Sequence, residues 1–289
     1  VIMRSRRIPV ELLRSVHDAD WVDRDRRPYV TGAVAYVPVR DGHPWEVDIP
    51  KKAVYQGRGY FMAGRIAVFQ GDEPTPAEID QVEAWKKPSA ILWVRSCSGV
   101  ERIPDVRVLR GEPGEVCHRE MGMTFRFDPS QVMFSRGNRT EKERMMQTIG
   151  SGERVADMFA GIGHFTIPAA RAGALVHAME LNPVAHGYLC RNIRENRVAS
   201  RVVPECGDCR DLLDGWYDRV IMGHFDSQAF LEKAAGHVLP GGTIHLHATG
   251  SCPPHIPGTC RGWVQEDGIR RIKKVAPHTW HYVLDLKVA

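Results

Sequence analysis

The sequence predicts an α/β fold: a doubly wound, mostly parallel sheet preceded by a smaller N-terminal α+β domain. Three observations predict it. From Arg154 to Ala248, short apolar runs alternate with helical stretches, the pattern of right-handed βαβ units. The first run closes in a glycine turn, Asp157-Met-Phe-Ala-Gly-Ile-Gly163, that opens a helix. Two acidic residues, Glu180 and Asp208, follow at the ends of the next two runs, where sheets of this kind hold a ligand outside the carboxyl ends of their strands.

Taken in order, residues 1–105 mix β-like runs (Val30–Val37, Ala90–Val94) with turns such as Asp41-Gly-His-Pro44. One helix is expected there, from Thr75 to about Lys87. Thr75-Pro-Ala-Glu78 has the Thr-x-x-Glu spacing of a capping box and proline at the first helical position. Residues 106–150 read as a connector, with a hairpin over Val116–Phe127 turning near Glu120-Met-Gly122, a loop at Ser135–Asn138, and a helix from Thr140 to Ile149. Residues 151–289 form the third region. Strands are expected at Arg154–Ala160, Leu175–Met179, Arg201–Pro204, Asp218–Met222 and Thr243–Ala248, with helices to about Ala172, over Pro183–Asn196 and over Ser227–Val238. The last segment, His278–Val288, is β-like with no helix after it. It suits an antiparallel strand finishing the sheet edge.

Composition narrows the class. With 289 residues, 43% of them hydrophobic, the chain can bury a substantial core. A balance of 39 Lys+Arg against 35 Asp+Glu, formally +4, permits a polyanionic partner without requiring one. Seven scattered cysteines fit a reducing compartment better than a disulfide framework. Ile8–Leu13 is too short and too acidic for a signal-peptide core, and no run approaches the ~20 apolar residues that cross a bilayer. A cytoplasmic protein without a membrane partner is expected. Cys206-Gly-Asp-Cys209 has half the spacing of a zinc site but no second Cys-x-x-Cys, so no metal is expected.

The glycine turn departs from the dinucleotide fingerprint. Gly161 and Gly163 supply the tight turn and a close backbone approach, but the third glycine position is Thr166. Asp157 would repel a pyrophosphate yet could accept from an ammonium group. A cationic, phosphate-free nucleoside fits, and S-adenosylmethionine is the obvious one. Glu180, 17 residues after Gly163, can reach ribose hydroxyls. Asp208 can accept from the adenine amino group, and the Cys209 backbone N–H can donate to a ring nitrogen.

Residues from about 115 to 289 then resemble a known family. Met133-Phe-Ser-Arg-Gly-Asn138, Asp157–Phe165, Arg219-Val-Ile-Met-Gly-His224, Ile244-His-Leu-His247 and Ile272–His281 are similar to the archaeal tRNA wybutosine-synthesizing aminocarboxypropyltransferases. These are close relatives of the tRNA (guanine-37) nitrogen-1 methyltransferases. The resemblance implies a class I S-adenosylmethionine-dependent methyltransferase-like sheet and transfer of the 3-amino-3-carboxypropyl group to carbon 7 of 4-demethylwyosine at position 37 of tRNA(Phe). The methylating relatives carry an Asn-Leu-Pro type motif after the fourth strand, where this chain has Met222-Gly-His224. Methyl transfer to the same nucleotide is the alternative, and a non-catalytic tRNA-binding protein a third.

The resemblance also implies residue roles. Ser135, Glu180, Asp208 and Cys209 would contact the ligand. Lys142, where the family usually has arginine, would face its carboxylate, with Arg144 a substitute if the helix is shifted. His224, where a tyrosine is common, could stack on the base or take its proton. Arg136, Arg139 and Lys142, with Arg119 and Arg126 and extended by Lys273 and Lys274, would form a basic rim for the anticodon loop, with Arg144 and residues 1–105 as further tRNA contacts. A monomer is expected.

Overall fold

The computed structural model describes residues 2–50, 55, 57–134, 138–260 and 262–289. Sequence pattern divides the chain near 105 and 150, whereas the contacts divide it once, into Val1–Gln56 and Gly57–Ala289. The first unit is a four-stranded antiparallel sheet of order β2-β3-β1-β4, from β1 (Ile2–Pro9), β2 (Tyr29–Thr31), β3 (Val34–Pro38) and β4 (Val47–Pro50). Alternation along β3 buries Ala35 and Val37 beside Val22 and Val39.

The second unit begins with a sheet of order β5-β6-β7-β8: β5 (Tyr60–Ala63), β6 (Ile66–Gln70), β7 (Ala90–Ser98) and β8 (Ile103–Gly111). Its one parallel pair, β6 with β7, requires a crossover, supplied by α1 (Pro76–Lys86). The capping box forms: Thr75 Oγ1 accepts from the Glu78 N–H at 3.3 Å, and Glu78 Oε2 accepts from the Thr75 N–H at 2.7 Å. The expected hairpin is β9 (Val116–Glu120) with β10 (Met123–Phe127), and its turn places Met121 and Gly122 at positive φ. Ile66, Val68 and Leu92 of the first sheet share one core with Phe125 and Phe127 of the hairpin and with Ile162, Ile167 and Ala185 from the region beyond it.

The large sheet has seven strands in the order β13-β12-β11-β14-β15-β17-β16. They are β11 (Arg154–Asp157), β12 (Leu175–Glu180), β13 (Val202–Cys206), β14 (Tyr217–Met222), β15 (Val238–Gly250), β16 (Val264–Ala276) and β17 (Thr279–Val288). The pairs from β13 through β15 are parallel, and β17 is antiparallel to both its neighbours. The chain winds outward from β11 to β13, then returns to β14 on the other side. This reversal puts the switch point at the carboxyl ends of β11 and β14, in agreement with the doubly wound sheet expected.

Two expectations are corrected. His278–Val288 does not finish the edge: β17 lies inside, and β16 is the edge strand. The run Gln265-Glu-Asp-Gly-Ile-Arg-Arg-Ile-Lys-Lys274 hid that strand, because charges that keep an edge from pairing also mask its alternation. The helix expected over Ser227–Val238 is a 3-10 turn, Ser227–Phe230, followed by the short α6, Leu231–Ala235. Val238 instead starts β15 beside Tyr217.

Between the strands run α3 (Thr166–Ala172), α4 (Pro183–Glu195) and the short α5 (Cys209–Leu212), while α2 (Arg139–Thr148) precedes the sheet. Two asparagines four apart join α4 to the hairpin. Asn192 Oδ1 accepts from the Arg126 N–H at 2.7 Å and its Nδ2 donates to the Arg126 carbonyl at 3.1 Å. Asn196 does the same with Thr124, at 2.9 and 2.6 Å. Side-chain amides thus satisfy the edge of β10 as a further strand would. No helix of the described residues is long and apolar enough to cross a membrane.

Candidate functional site

A cavity of about 940 Å³ opens at the switch point. Its walls come from the β7–β8 turn, the segment around Phe134, the glycine turn after β11, the ends of β12 and β14, the N-terminus of α5, and β16. Gly161, Glu180, Asp208, Cys209 and His224, all singled out in the sequence, line it together.

Glu180 is held by the glycine turn. Its Oε2 accepts from the Gly161 N–H at 2.6 Å and its Oε1 from the Asn182 N–H at 2.8 Å. Burial raises its pKa above the ordinary carboxylate value, and these two backbone donors pull it back. The Gly161 N–H, which in a dinucleotide site would face a pyrophosphate, is therefore spent on a carboxylate. Each Glu180 oxygen keeps a lone pair for a ligand hydroxyl. Asn182 caps α4, accepting from Val184 N–H at 2.9 Å, and donates through Nδ2 to the Glu101 carbonyl at 3.2 Å. The β7–β8 turn is thereby tied to the cavity mouth.

Asp208 caps α5 by accepting from the Arg210 N–H at 2.8 Å, and it also binds the Arg210 guanidinium at 2.5 Å. That hydrogen bond lowers its pKa. The Cys209 N–H is one of the donors a helix start leaves without an intrahelical acceptor. Its thiol is pushed up to about 12, chiefly by burial, so Cys209 offers a backbone donor and no thiolate. Aromatic rings complete this wall. Phe159 meets Phe230 edge-on at 5.4 Å and lies 5.3 Å from the His224 ring.

His224 is not the free proton acceptor suggested by the sequence. Arg102 Nε lies 2.8 Å from its Nε2. Arginine can only donate, so Nε2 accepts, while the Asp226 backbone N–H faces Nδ1 at 3.1 Å and the Asp226 carboxylate lies 3.9 Å from that nitrogen. Burial, and then the Arg102 charge, lower the pKa. A neutral ring with its lone pair occupied fits positioning or stacking better than base catalysis.

Several expected residues lie elsewhere. Asp157 is fully buried and off the cavity wall: Thr166 Oγ1 donates to its Oδ2 at 2.7 Å, and burial raises it to about 6. It ties the turn to the start of α3 instead of meeting an ammonium group. Gly163 (φ +101) is also off the wall, and a Cβ there would lie 2.8 Å from Ile167 and 3.2 Å from Leu189. Its close approach is to the protein core. Lys142 is fully buried, its Nζ 2.6 Å from Glu120 Oε2 and over the Phe125 ring at 5.3 Å. Its charge is taken up by that carboxylate.

The expected tRNA contacts also divide. Arg144 is corrected: it pairs with Glu141 and, at 3.0 Å, with Asp285. Asp285 also receives His245 Nδ1 at 2.5 Å, and Arg219 donates to His245 Nε2 at 2.6 Å. This network fastens α2 to β14, β15 and β17. Arg126 is engaged by Glu115 and Glu195. Arg139 is exposed, with Glu143 at 2.9 Å. Ser135 and Arg136 lie outside the described residues. Among those described, no three His, Cys, Asp or Glu side chains converge to hold a metal.

Sequence reasoning missed Arg102, Phe159, Phe230 and the placement of Lys273. Phe159 stands in the glycine turn without a cue to its role, while Arg102, Phe230 and Lys273 come from a strand-connecting turn, a 3-10 turn and an edge strand distant in sequence. Only Asn182, inside Glu180-Leu-Asn-Pro, had a visible signal, as the cap of a proline-led helix.

Comparison with known proteins agrees with this architecture. The family model of the TRM5/TYW2 methyltransferase domain matches residues 116–281. A tRNA(Phe) (4-demethylwyosine(37)-C(7)) aminocarboxypropyltransferase from Methanocaldococcus jannaschii is 37% identical over 220 residues, covering 71% of this chain and 88% of that protein. The structure of M. jannaschii TYW2 in complex with AdoMet superposes with a TM-score of 0.61 at 29% identity, over 80% of this chain and all of that one. Trm5b from Pyrococcus abyssi superposes with a TM-score of 0.70 at 26% identity, over 99% of each chain.

Proposed function

Because the chain belongs to the TRM5/TYW2 methyltransferase-domain family, we propose that it transfers the 3-amino-3-carboxypropyl group of S-adenosylmethionine to carbon 7 of 4-demethylwyosine at position 37 of tRNA(Phe). The observation that carries the reading is the cavity wall after β14. Where methylating relatives place an Asn-Leu-Pro type motif, this chain has Met222-Gly-His224, of which Gly223 and His224 line the cavity. No amide side chain stands there to accept from a base nitrogen. A Cβ on Gly223 would lie 3.2 Å from the Phe165 ring, so the glycine serves close packing as well as room in the cavity.

In this reading Glu180 takes the ribose hydroxyls, and Asp208 and the Cys209 N–H take the adenine edge. Phe159 and Phe230 supply apolar contact. The nucleophilic base carbon attacks the γ-carbon of the amino acid chain. A C–C bond forms, the C–S bond breaks, and the pair goes to sulfur to give neutral methylthioadenosine. Loss of a proton from carbon 7 restores aromaticity. The sulfonium already activates the γ-carbon it carries, so catalysis rests on orientation. The Arg102–His224 pair, with Phe225 beside it, forms the surface against which the base would lie. Exposed Arg139 and Arg119 would take anticodon-loop phosphates, fixing position without reading sequence. The chain would act in the cytoplasm as a monomer.

The test is the co-product. Enzyme incubated with S-adenosylmethionine and tRNA containing 4-demethylwyosine should release methylthioadenosine, resolved by chromatography. Release of S-adenosylhomocysteine instead would assign the methyltransferase branch.

A further inference from the structure

With Lys142 committed to Glu120, the cavity needs another partner for the ligand's carboxylate. Four cationic side chains line it: Arg95, Arg102, Arg210 and Lys273. Arg95 pairs with Asp105, Arg210 with Asp208, and Arg102 donates to His224 and lies 5.6 Å over the Phe225 ring. Among the described residues, Lys273 has no hydrogen-bonding or acidic partner.

Lys273 sits on the edge strand β16, yet the structure brings it to the switch point in two ways. Register shifts fall on both sides of it, between Arg271 and Lys273 and between Lys274 and Ala276, and such bulges re-aim a side chain. Arg270, three residues earlier, pairs with Asp285 at 2.5 Å and lies 3.8 Å from Glu141 of α2. This draws β16 against α2. Lys273 is opposite His281, whose ring meets Phe225 at 4.9 Å, and Phe225 lines the cavity.

We propose that Lys273 binds the α-carboxylate of S-adenosylmethionine, and so fixes the direction of the chain that is transferred. The surroundings support an anion there. His164, lining the cavity, is buried, and neither ring nitrogen has a partner among the described residues. Burial first, then the charges of Lys142, His118 and Lys273, hold it neutral. His281 is lowered to about 4 by burial and by Lys273. Lys273 itself is lowered by burial and by Lys142, so it is a desolvated cation without a counter-charge, which a carboxylate would supply. The inference rests on S-adenosylmethionine occupying this cavity, but not on which of its carbons is transferred.

The experiment is equilibrium binding without tRNA, by calorimetry, of three probes: S-adenosylmethionine, its decarboxylated form, and methylthioadenosine. Lys273→Met should weaken S-adenosylmethionine at least tenfold and leave the other two within about twofold, while Lys273→Arg should restore most of the loss. Equal weakening of all three, or unchanged S-adenosylmethionine affinity, overturns the proposal. A loss seen only with tRNA overturns it too, and assigns Lys273 to a phosphate. If Lys273→Met does not fold, protection of Lys273 from reductive methylation in the wild type decides. S-adenosylmethionine must protect it and the decarboxylated form must not; equal protection overturns the proposal.

Discussion

Glu180→Gln separates nucleoside binding from everything else in the site. The carboxylate accepts from two backbone donors, Gly161 N–H at 2.6 Å and Asn182 N–H at 2.8 Å, one on each oxygen. Glutamine has one acceptor oxygen, so its amide would face one of those donors with a donor. Losing a charged hydrogen bond costs about 1.5–3 kcal/mol. Part is recovered, because burial already disfavours the ionised form. A net loss of about 1–2 kcal/mol should lower the melting temperature by about 2–4 °C in a protein of this size. The ribose hydroxyls also lose a charged acceptor, so affinity should fall about 10- to 150-fold, equally for S-adenosylmethionine and methylthioadenosine. Calorimetric titration of the folded variant with both ligands reads this directly. Unchanged affinity for methylthioadenosine, or a loss confined to S-adenosylmethionine, would refute the placement of the ribose at Glu180.

Five further outcomes follow from the same geometry. Gly163→Ala should destabilise by about 2–4 kcal/mol in urea unfolding, combining positive-φ strain with contacts at 2.8 and 3.2 Å. Gly161→Ala, with no neighbour nearer than 3.9 Å, should lose only about 1 kcal/mol. Asp157 is raised to about 6 in the folded protein, so the folded state holds its proton more tightly and this group's contribution to stability falls as pH rises from about 4 to 6. Asp157→Asn should therefore gain on the wild type by up to about 3 kcal/mol between pH 4 and 7 in urea titrations. Glu120→Ala, leaving Lys142 buried without its partner, should cost about 3–5 kcal/mol, and adding Lys142→Met should recover part of it in melting experiments. Arg102→Ala should raise the His224 pKa, followed by NMR titration, because the guanidinium lowers it.

What the sequence made legible was local. The strand, glycine turn and helix between Arg154 and Ala172, the capped helix at Thr75 and the hairpin at Val116–Phe127 are written in periodicity and turn residues, and they formed where expected. Glu180, Asp208 and Cys209 reached the cavity because strand ends in a doubly wound sheet converge by topology. Charged side chains were read less well. Lys142, Arg144 and Asp157 looked like ligand or tRNA contacts, yet Glu120, Asp285 and Thr166 engage them across 22, 141 and 9 residues of sequence. A charge is visible in a sequence, but its partner is not. For the same reason Lys273 read as part of an outer rim: its strand looks like a solvated charge run, and only the bulges and the Arg270–Glu141 contact bring it inward.

The central claim is the orientation of the sulfonium ligand toward the base. Folded enzyme and tRNA containing 4-demethylwyosine should be incubated with S-adenosylmethionine labelled in its carboxyl carbon, and in parallel with ligand labelled in its methyl carbon. The account predicts carboxyl label in the tRNA and methyl label retained in methylthioadenosine. Methyl label in the tRNA would contradict it.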